Sequence, residues 1–206
     1  MSKKGLFITF EGADGCGKTT QIKLLNEYLQ DKNIETITTL EPGGSDIGKQ
    51  LRQILLHHNG FVSNVAELFM YLADRAQHVE TVVMKGVEEG KIVLCDRHID
   101  SLVAYQGYGR GQDIEQINLL NNIATQNFKP HITFLLDVDS EIAQTRVGDE
   151  KDRLESEGLA FHKKIRNGYL ELAKKYPERI KVINVNLSIE KVFEQIKKVI
   201  DEYISL

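Results

Sequence analysis

The segment Gly12-Ala13-Asp14-Gly15-Cys16-Gly17-Lys18-Thr19 constrains this chain more than any other. It fits G-x-x-x-x-G-K-[ST] in full, a pattern that is informative when it follows a strand and opens a helix. Both flanks are present. Gly5 to Phe10 (GLFITF) is short, apolar and rich in β-formers, which reads as a buried strand. Thr19 to Gln30 carries Ile22, Leu25 and Leu29 at helical spacing, with Leu24 and Tyr28 widening the apolar face. Between strand and helix, the glycines admit backbone conformations that bulkier residues resist. Their N–H groups can form an anion nest, and the helix N-terminus adds free donors and a favourable dipole. Lys18 is suited to β/γ-phosphates and Thr19 to Mg²⁺. Cys16 sits within this nest, as a small space-filling residue or as a thiol activated by amides and Lys18.

Downstream, the alternation continues. Ile34 to Leu40 reads as a strand, broken by Glu41-Pro42-Gly43-Gly44. A helix follows from Asp46 to about Leu56. Asn64 is the expected cap of a third helix carrying Leu68, Phe69, Leu72, Ala76 and Val79. Strands are expected over Lys91–Cys95, Ile132–Asp137 and Lys181–Val185. Helices are expected over Asp113–Thr125, Phe161–Lys175 and Ile189–Ile204. Strands alternating with helices imply an α/β fold, a mostly parallel sheet covered on both faces. With 206 residues and no linker or repeat, one domain spanning 1–206 is expected. The charged stretch Gly148 to Gly158 reads as exposed.

Composition narrows the setting. A net charge of -4 gives no support for bulk nucleic-acid binding, although a pocket obeys its local field. Cys16 and Cys95 lack zinc-like spacing and form no disulfide framework. The apolar run before Glu11 is too short for a signal h-region, and no run approaches the roughly 18 apolar residues of a membrane span. The expectation is a cytoplasmic protein without membrane or nucleic-acid partners.

Asp96 ends an apolar strand, where an acid beside Thr19 is suited to Mg²⁺. Arg97 adds a fork for phosphate oxygens. Asp137 and Asp139 read as loop or capping residues. Arg52, Arg75 and Arg97 are either a second anion pocket or three solvated arginines. The loop alone does not separate a kinase from a nucleotide-dependent switch, but the sequence has no guanine-reading motif.

Further motifs resolve that choice by resemblance. Phe10 to Thr20, Glu41-Pro42-Gly43-Gly44, Ala73-Asp74-Arg75-Ala76-Gln77-His78, Asp96-Arg97-His98, Ala104-Tyr105-Gln106 and Gly109-Arg110-Gly111 stand in order, followed by Asp152-Arg153-Leu154-Glu155. From about Leu6 to the last helix the chain resembles the bacterial thymidylate kinases. The resemblance implies a P-loop NTPase fold with a five-stranded parallel sheet and a lid, about residues 147–158. It implies phosphorylation of dTMP to dTDP with ATP and Mg²⁺, and a homodimer. Another pyrimidine deoxynucleoside monophosphate is the alternative acceptor.

Residue by residue, the resemblance assigns Gly12 to Thr20 to ATP phosphates, with Lys18 catalytic, and Thr19 and Asp96 to the metal. Glu11 is placed near the acceptor and metal, and Glu41 near the reacting phosphates. Arg52 and Arg97 are assigned to the acceptor phosphate, Arg75 and Gln106 to the base, Tyr105 to the deoxyribose side and Ser101 to the acceptor. Three positions depart from the family. Tyr71 replaces the usual stacking Phe, Leu102 replaces a second small polar residue, and Leu40 replaces an Arg before Glu41. The phosphate loop also lacks an arginine and carries Asp14. The lid must then supply positive charge from Arg146, Lys151 or Arg153, and Arg153 is the expected transition-state contact, with Arg146 second.

Overall fold

The computed structural model describes residues 5–146, 148, 153, 154 and 156–204. Five strands form one parallel sheet: β1 (Leu6–Glu11), β2 (Thr36–Leu40), β3 (Ile92–Asp96), β4 (Ile132–Asp137) and β5 (Ile180–Asn184), in the order β2-β3-β1-β4-β5. Parallel strands need crossovers, and these are helical: α1 (Lys18–Asp31), α2 (Asp46–His57), α3 (Asn64–His78), α4 (Met84–Glu88), α5 (Ile99–Leu102), α6 (Ile114–Ala124), α7 (Ser140–Arg146), α8 (Leu159–Lys175) and α9 (Ile189–Ile204).

Strand register separates two cores. Ile8 pairs with Leu94 on one side and Ile132 on the other. That rung, with Phe10, Phe134 and Leu136, packs against Ile22, Leu25 and Leu29 of α1 and Val192, Ile196 and Ile200 of α9. The alternate residues face the opposite layer. There Leu135 and Ile180 meet residues of α3, α6 and α8 and the segment Leu102–Tyr105, while Phe7, Val93 and Cys95 pack with Val83. Both faces are therefore covered, as the continuous apolar strands require. The order and the loop after β1 make this a P-loop NTPase fold. From β1 the chain goes to β2 on one side of the sheet, and from β3 it crosses to β4 on the other, a reversal that opens a crevice at the strands' C-terminal ends.

Element boundaries differ from the sequence reading by one or two residues at most ends. The α3 cap is Ser63, whose hydroxyl accepts from the Ala66 N–H at 3.2 Å, rather than Asn64, which is already helical. Several features lacked a sequence signal, helix α5 among them. A π-helical turn, Val79–Val83, joins α3 to α4, and a π-helical segment, Val103–Gly109, extends α5. Helix α7 is short, with the Asp139 carboxylate accepting from Glu141 N–H at 3.0 Å, which fits the capping role. Of the lid expected at 147–158, residues 147, 149–152 and 155 lie outside the described residues, Lys151, Asp152 and Glu155 among them.

Leu94 is fully buried in the sheet's central rungs. Leu94→Ala is expected to cost about 2–5 kcal/mol, measured by denaturant unfolding. A loss below about 1 kcal/mol would contradict this account of the core.

Candidate active site

The phosphate loop turns immediately beyond β1. Gly12 has φ 136°, and a Cβ there would lie 2.5 Å from the Leu136 carbonyl oxygen of β4. Only glycine allows both that dihedral and that approach. Lys18 Nζ folds over the loop, donating to the carbonyls of Gly12 (3.3 Å) and Ala13 (3.1 Å). Gly15, Gly17, Lys18, Thr19, Thr20, Asp96 and Gly148 border one polar cavity. Cys16 is buried beneath the loop, and burial pushes its thiol up, which favours the space-filling reading.

A second cavity adjoins the first. Arg75, Tyr71, Ser101, Leu102, Tyr105 and Gln106 line it, together with Pro42, Leu56 and Leu154. Asp14, Glu41, Arg52 and Arg97 border both cavities. The three arginines singled out in the sequence thus face one space, and two of them stand at its junction with the phosphate loop.

Arg97 is held there by several contacts. Its backbone is left-handed (φ 69°), uncommon for a residue with a side chain. Its guanidinium donates to Asp14 at 2.5 Å, the Gly12 carbonyl at 3.0 Å, Tyr169 at 3.2 Å and Ser101 at 3.4 Å. Asp14 also accepts from the Tyr105 hydroxyl at 3.2 Å. Burial opposes its ionisation, but Arg97 and then Lys18 outweigh burial and hold the Asp14 carboxyl well below its usual range.

The Glu41-Pro42-Gly43-Gly44 turn forms the other side of the junction. Gly43 has φ 117°, and its N–H donates to Asp74 at 2.9 Å. Arg52 donates to the Pro42 carbonyl at 2.8 Å. Glu41 is buried and accepts from Arg75 Nε at 2.8 Å, with His78 Nδ1 also at 2.8 Å. Burial alone would raise its pKa, yet the Arg75 charge and the His78 hydrogen bond keep it well below the carboxylate range. Burial pushes His98 down to about 3, so that ring is neutral. Arg75 also donates to Asn121 at 2.8 Å and the His98 carbonyl at 3.0 Å. Its guanidinium therefore braces the site as well as lining the cavity.

The residues fit a magnesium ion. Asp96 Oδ1 is buried without a hydrogen-bond partner among the described residues, and Asp96 borders the same cavity as Thr19. An oxygen donor pair beside phosphates is the usual Mg²⁺ setting. The expected lid arginines stand apart from that cavity's lining. Arg146 is exposed at the end of α7. Arg153 pairs with Glu67 and donates from Nε to the Leu55 carbonyl at 3.0 Å. It lies by the acceptor cavity, which the next residue, Leu154, lines.

Residues missed from sequence include Tyr169, Asp74, His78 and Glu67. Each is a buried polar residue that acts by holding another, and periodicity alone does not distinguish such a position from core. Asp74 and His78 did lie within a motif quoted above.

A family model described as "Thymidylate kinase" matches residues 10–196. The thymidylate kinase of Thermoanaerobacter sp. (strain X514) is 46% identical over 202 residues, covering 98% of this chain and 100% of that protein. That of Clostridium novyi (strain NT) is 44% identical over 199 residues, covering 94% and 97%. The crystal structure of thymidylate kinase from Ehrlichia chaffeensis superposes with a TM-score of 0.81 at 35% identity, covering 95% of this chain and 98% of that one.

Glu11 lines neither cavity. It is fully buried, accepting from His98 N–H (2.8 Å), the Ser101 hydroxyl (2.5 Å) and the Tyr169 hydroxyl (3.0 Å). Burial, and then Asp100, raise its pKa to about 7, against 4.5 for an ordinary Glu. Between those pH values the folded state holds a proton that the unfolded chain releases, so this group's contribution to stability falls as pH rises. Glu11→Gln removes the titration. The stability of wild type relative to Glu11→Gln should fall by up to about 3 kcal/mol between pH 4.5 and 7 in denaturant unfolding. A pH-independent difference would contradict the shift.

Proposed function

Because the chain belongs to the thymidylate kinase family, we propose that it transfers the γ-phosphoryl group of ATP to dTMP, forming ADP and dTDP for dTTP synthesis. The observation that carries this reading is the common border of the two cavities. Asp14, Glu41, Arg52 and Arg97 belong to both. A donor phosphate on the loop and an acceptor phosphate beside it therefore meet at the same two guanidinium groups.

Transfer is direct. An acceptor phosphate oxygen attacks the γ-phosphorus, the bond to the β–γ bridging oxygen breaks, and ADP leaves. The loop from Gly12 to Thr20 holds the donor phosphates through its amides, and Lys18 stabilises the charge that develops during transfer. Thr19 and Asp96 would hold Mg²⁺, which would neutralise phosphate charge when bound. Arg52 and Arg97 orient the acceptor phosphate bidentately. Glu41 keeps Arg75 in place, and Glu11 keeps Ser101 in place. Tyr71 stacks on the base, Arg75 and Gln106 read its edge, and Tyr105 closes the deoxyribose side. Arg146 and Arg153 are the lid cations. A kcat loss in Arg153→Ala assigns it to the transferring phosphate, and a loss confined to the dTMP KM assigns it to acceptor binding.

One observation favours a second reading. Leu102, where the family carries a polar residue, lines the acceptor cavity. Altered base preference then makes another pyrimidine monophosphate the better acceptor. A steady-state panel of dTMP, dUMP, dCMP and dGMP with ATP and Mg²⁺ decides between them. The highest kcat/KM is expected for dTMP, and a higher value for dCMP would overturn the assignment. Lys18→Ala should lower kcat by about a hundredfold or more; wild-type turnover would remove Lys18 from the mechanism.

The chain pairs with a second copy. Helix α3 packs between α2 and α6, and the three expose Ile47, Ile54, Val65, Phe69, Leu119 and Ile123. Exposed apolar residues grouped on adjoining helices mark an association surface. In light scattering the wild type should have twice the 23.4 kDa chain mass. Phe69→Glu should have the mass of one chain, and a monomeric wild type would contradict the pairing.

A further inference from the structure

Glu67 is a buried carboxylate with no part in the mechanism above. It lies in the first turn of α3, its side chain 1% exposed, yet it gathers three side chains from two other segments. Its Oε1 accepts from Gln106 Nε2 at 2.6 Å and from Arg110 Nε at 3.4 Å. Its other oxygen pairs with the Arg153 guanidinium. Arg153 is tied in turn to α2, through Nε to the Leu55 carbonyl at 3.0 Å and through its backbone N–H to the Leu56 carbonyl at 3.4 Å. The next residue, Leu154, is buried and lines the acceptor cavity with Leu56 and Gln106. Arg110 continues the chain of contacts to Glu157 at 2.5 Å and lies over the Phe161 ring at 4.8 Å.

The chemistry of this junction is directional. A carboxylate only accepts hydrogen bonds, so Glu67 requires the amide nitrogen of Gln106, not its oxygen, to face it. Gln106 Oε1 accepts from Gln112 Nε2 at 3.2 Å, which agrees with that orientation and leaves the oxygen a second lone pair. Gln112 is itself anchored on the Asn64 carbonyl at 3.1 Å. The amide is thus fixed at both ends in a wholly buried position. A base edge meeting this amide finds its carbonyl oriented by Glu67. Thymine and uracil carry a donor at N3, whereas cytosine carries an acceptor there.

We propose that Glu67 is a positioning residue that sets the acceptor-base preference: it fixes the hydrogen-bond polarity of Gln106 and, through Arg153, seats Leu154 against the acceptor cavity. The inference rests on the dTMP-kinase reading and deepens it. It distinguishes Glu67 from a carboxylate that merely stabilises the fold, because only polarity control changes the ranking of two bases of similar size.

The near-isosteric Glu67→Gln tests it. A glutamine at 67 can donate or accept, so Gln106 can turn over, and Arg153 loses its charge partner. Steady-state kinetics with dTMP and dCMP, at varied ATP, should show the dTMP KM rising by about tenfold and the dTMP-to-dCMP ratio of kcat/KM falling by about tenfold, the scale of one hydrogen bond. The ATP KM should stay within about twofold. Arg153→Ala, which keeps Glu67 and Gln106 together, should raise the dTMP KM while leaving the dTMP-to-dCMP ratio in place. An unchanged ratio in Glu67→Gln, or equal losses for dTMP, dCMP and ATP, would overturn the proposal. Wild-type inactivity toward dTMP in the same assay overturns the acceptor assignment and this inference together; wild-type activity with an unaltered Glu67→Gln overturns the inference alone.

Discussion

The ion pair between Arg97 and Asp14 joins the two halves of this site. Asp14 belongs to the loop after β1, and Arg97 follows β3, its neighbour in the sheet. The Arg97 backbone N–H donates to the Phe10 carbonyl at 2.9 Å, so the left-handed turn is locked to the end of β1. Such a conformation costs on the order of 1–3 kcal/mol and persists where surrounding contacts over-determine it. Here they do: four acceptors or hydroxyls surround the guanidinium, and Tyr105 lies 5.2 Å beneath it. The strain is absorbed at the point where donor and acceptor phosphates must converge.

A second buried charge cluster supports the first. Glu41 would be strongly disfavoured in the interior alone, and Arg75 with the His78 hydrogen bond makes its ionised form tolerable. The Glu41 N–H donates to the Asp96 carbonyl at 2.9 Å, which fixes the turn after β2 to the end of β3. Glu41, Arg52, Asp96 and Arg97 thereby converge at the C-terminal ends of adjacent strands. Parallel topology produces that convergence, since every strand points its C-terminal end the same way. The phosphate loop, the turn at Glu41 and the Arg97 bend are three connections from the C-terminal end of one sheet.

Much of this was legible in sequence because its causes are local. Strand β1, the glycine-rich loop and α1 follow from apolar runs, glycine placement and helical periodicity. Other features depend on contacts far apart in sequence. Nothing local marks the π-helical winding of Val103–Gly109, which carries Tyr105 and Gln106 along the acceptor cavity. The Tyr169 contact with Arg97 spans 72 positions, and the Gln106 contact with Glu67 spans 39. Arg75 was singled out as a base reader, but its buried bonds to Glu41, Asn121 and His98 required the fold to be seen. Arg153 was singled out for its charge, which does not disclose that it pairs with Glu67.

The central claim is that donor and acceptor occupy adjoining cavities with a common wall of Asp14, Glu41, Arg52 and Arg97. An adenosine and a thymidine joined 5′ to 5′ through a phosphate chain long enough to span both tests it most directly, by calorimetric titration and competition. The account predicts one such ligand per chain, displacing both ATP and dTMP and binding at least about a hundredfold more tightly than either, because the second contact becomes intramolecular. Binding no tighter than ATP, or dTMP remaining bound beside it, would contradict the account.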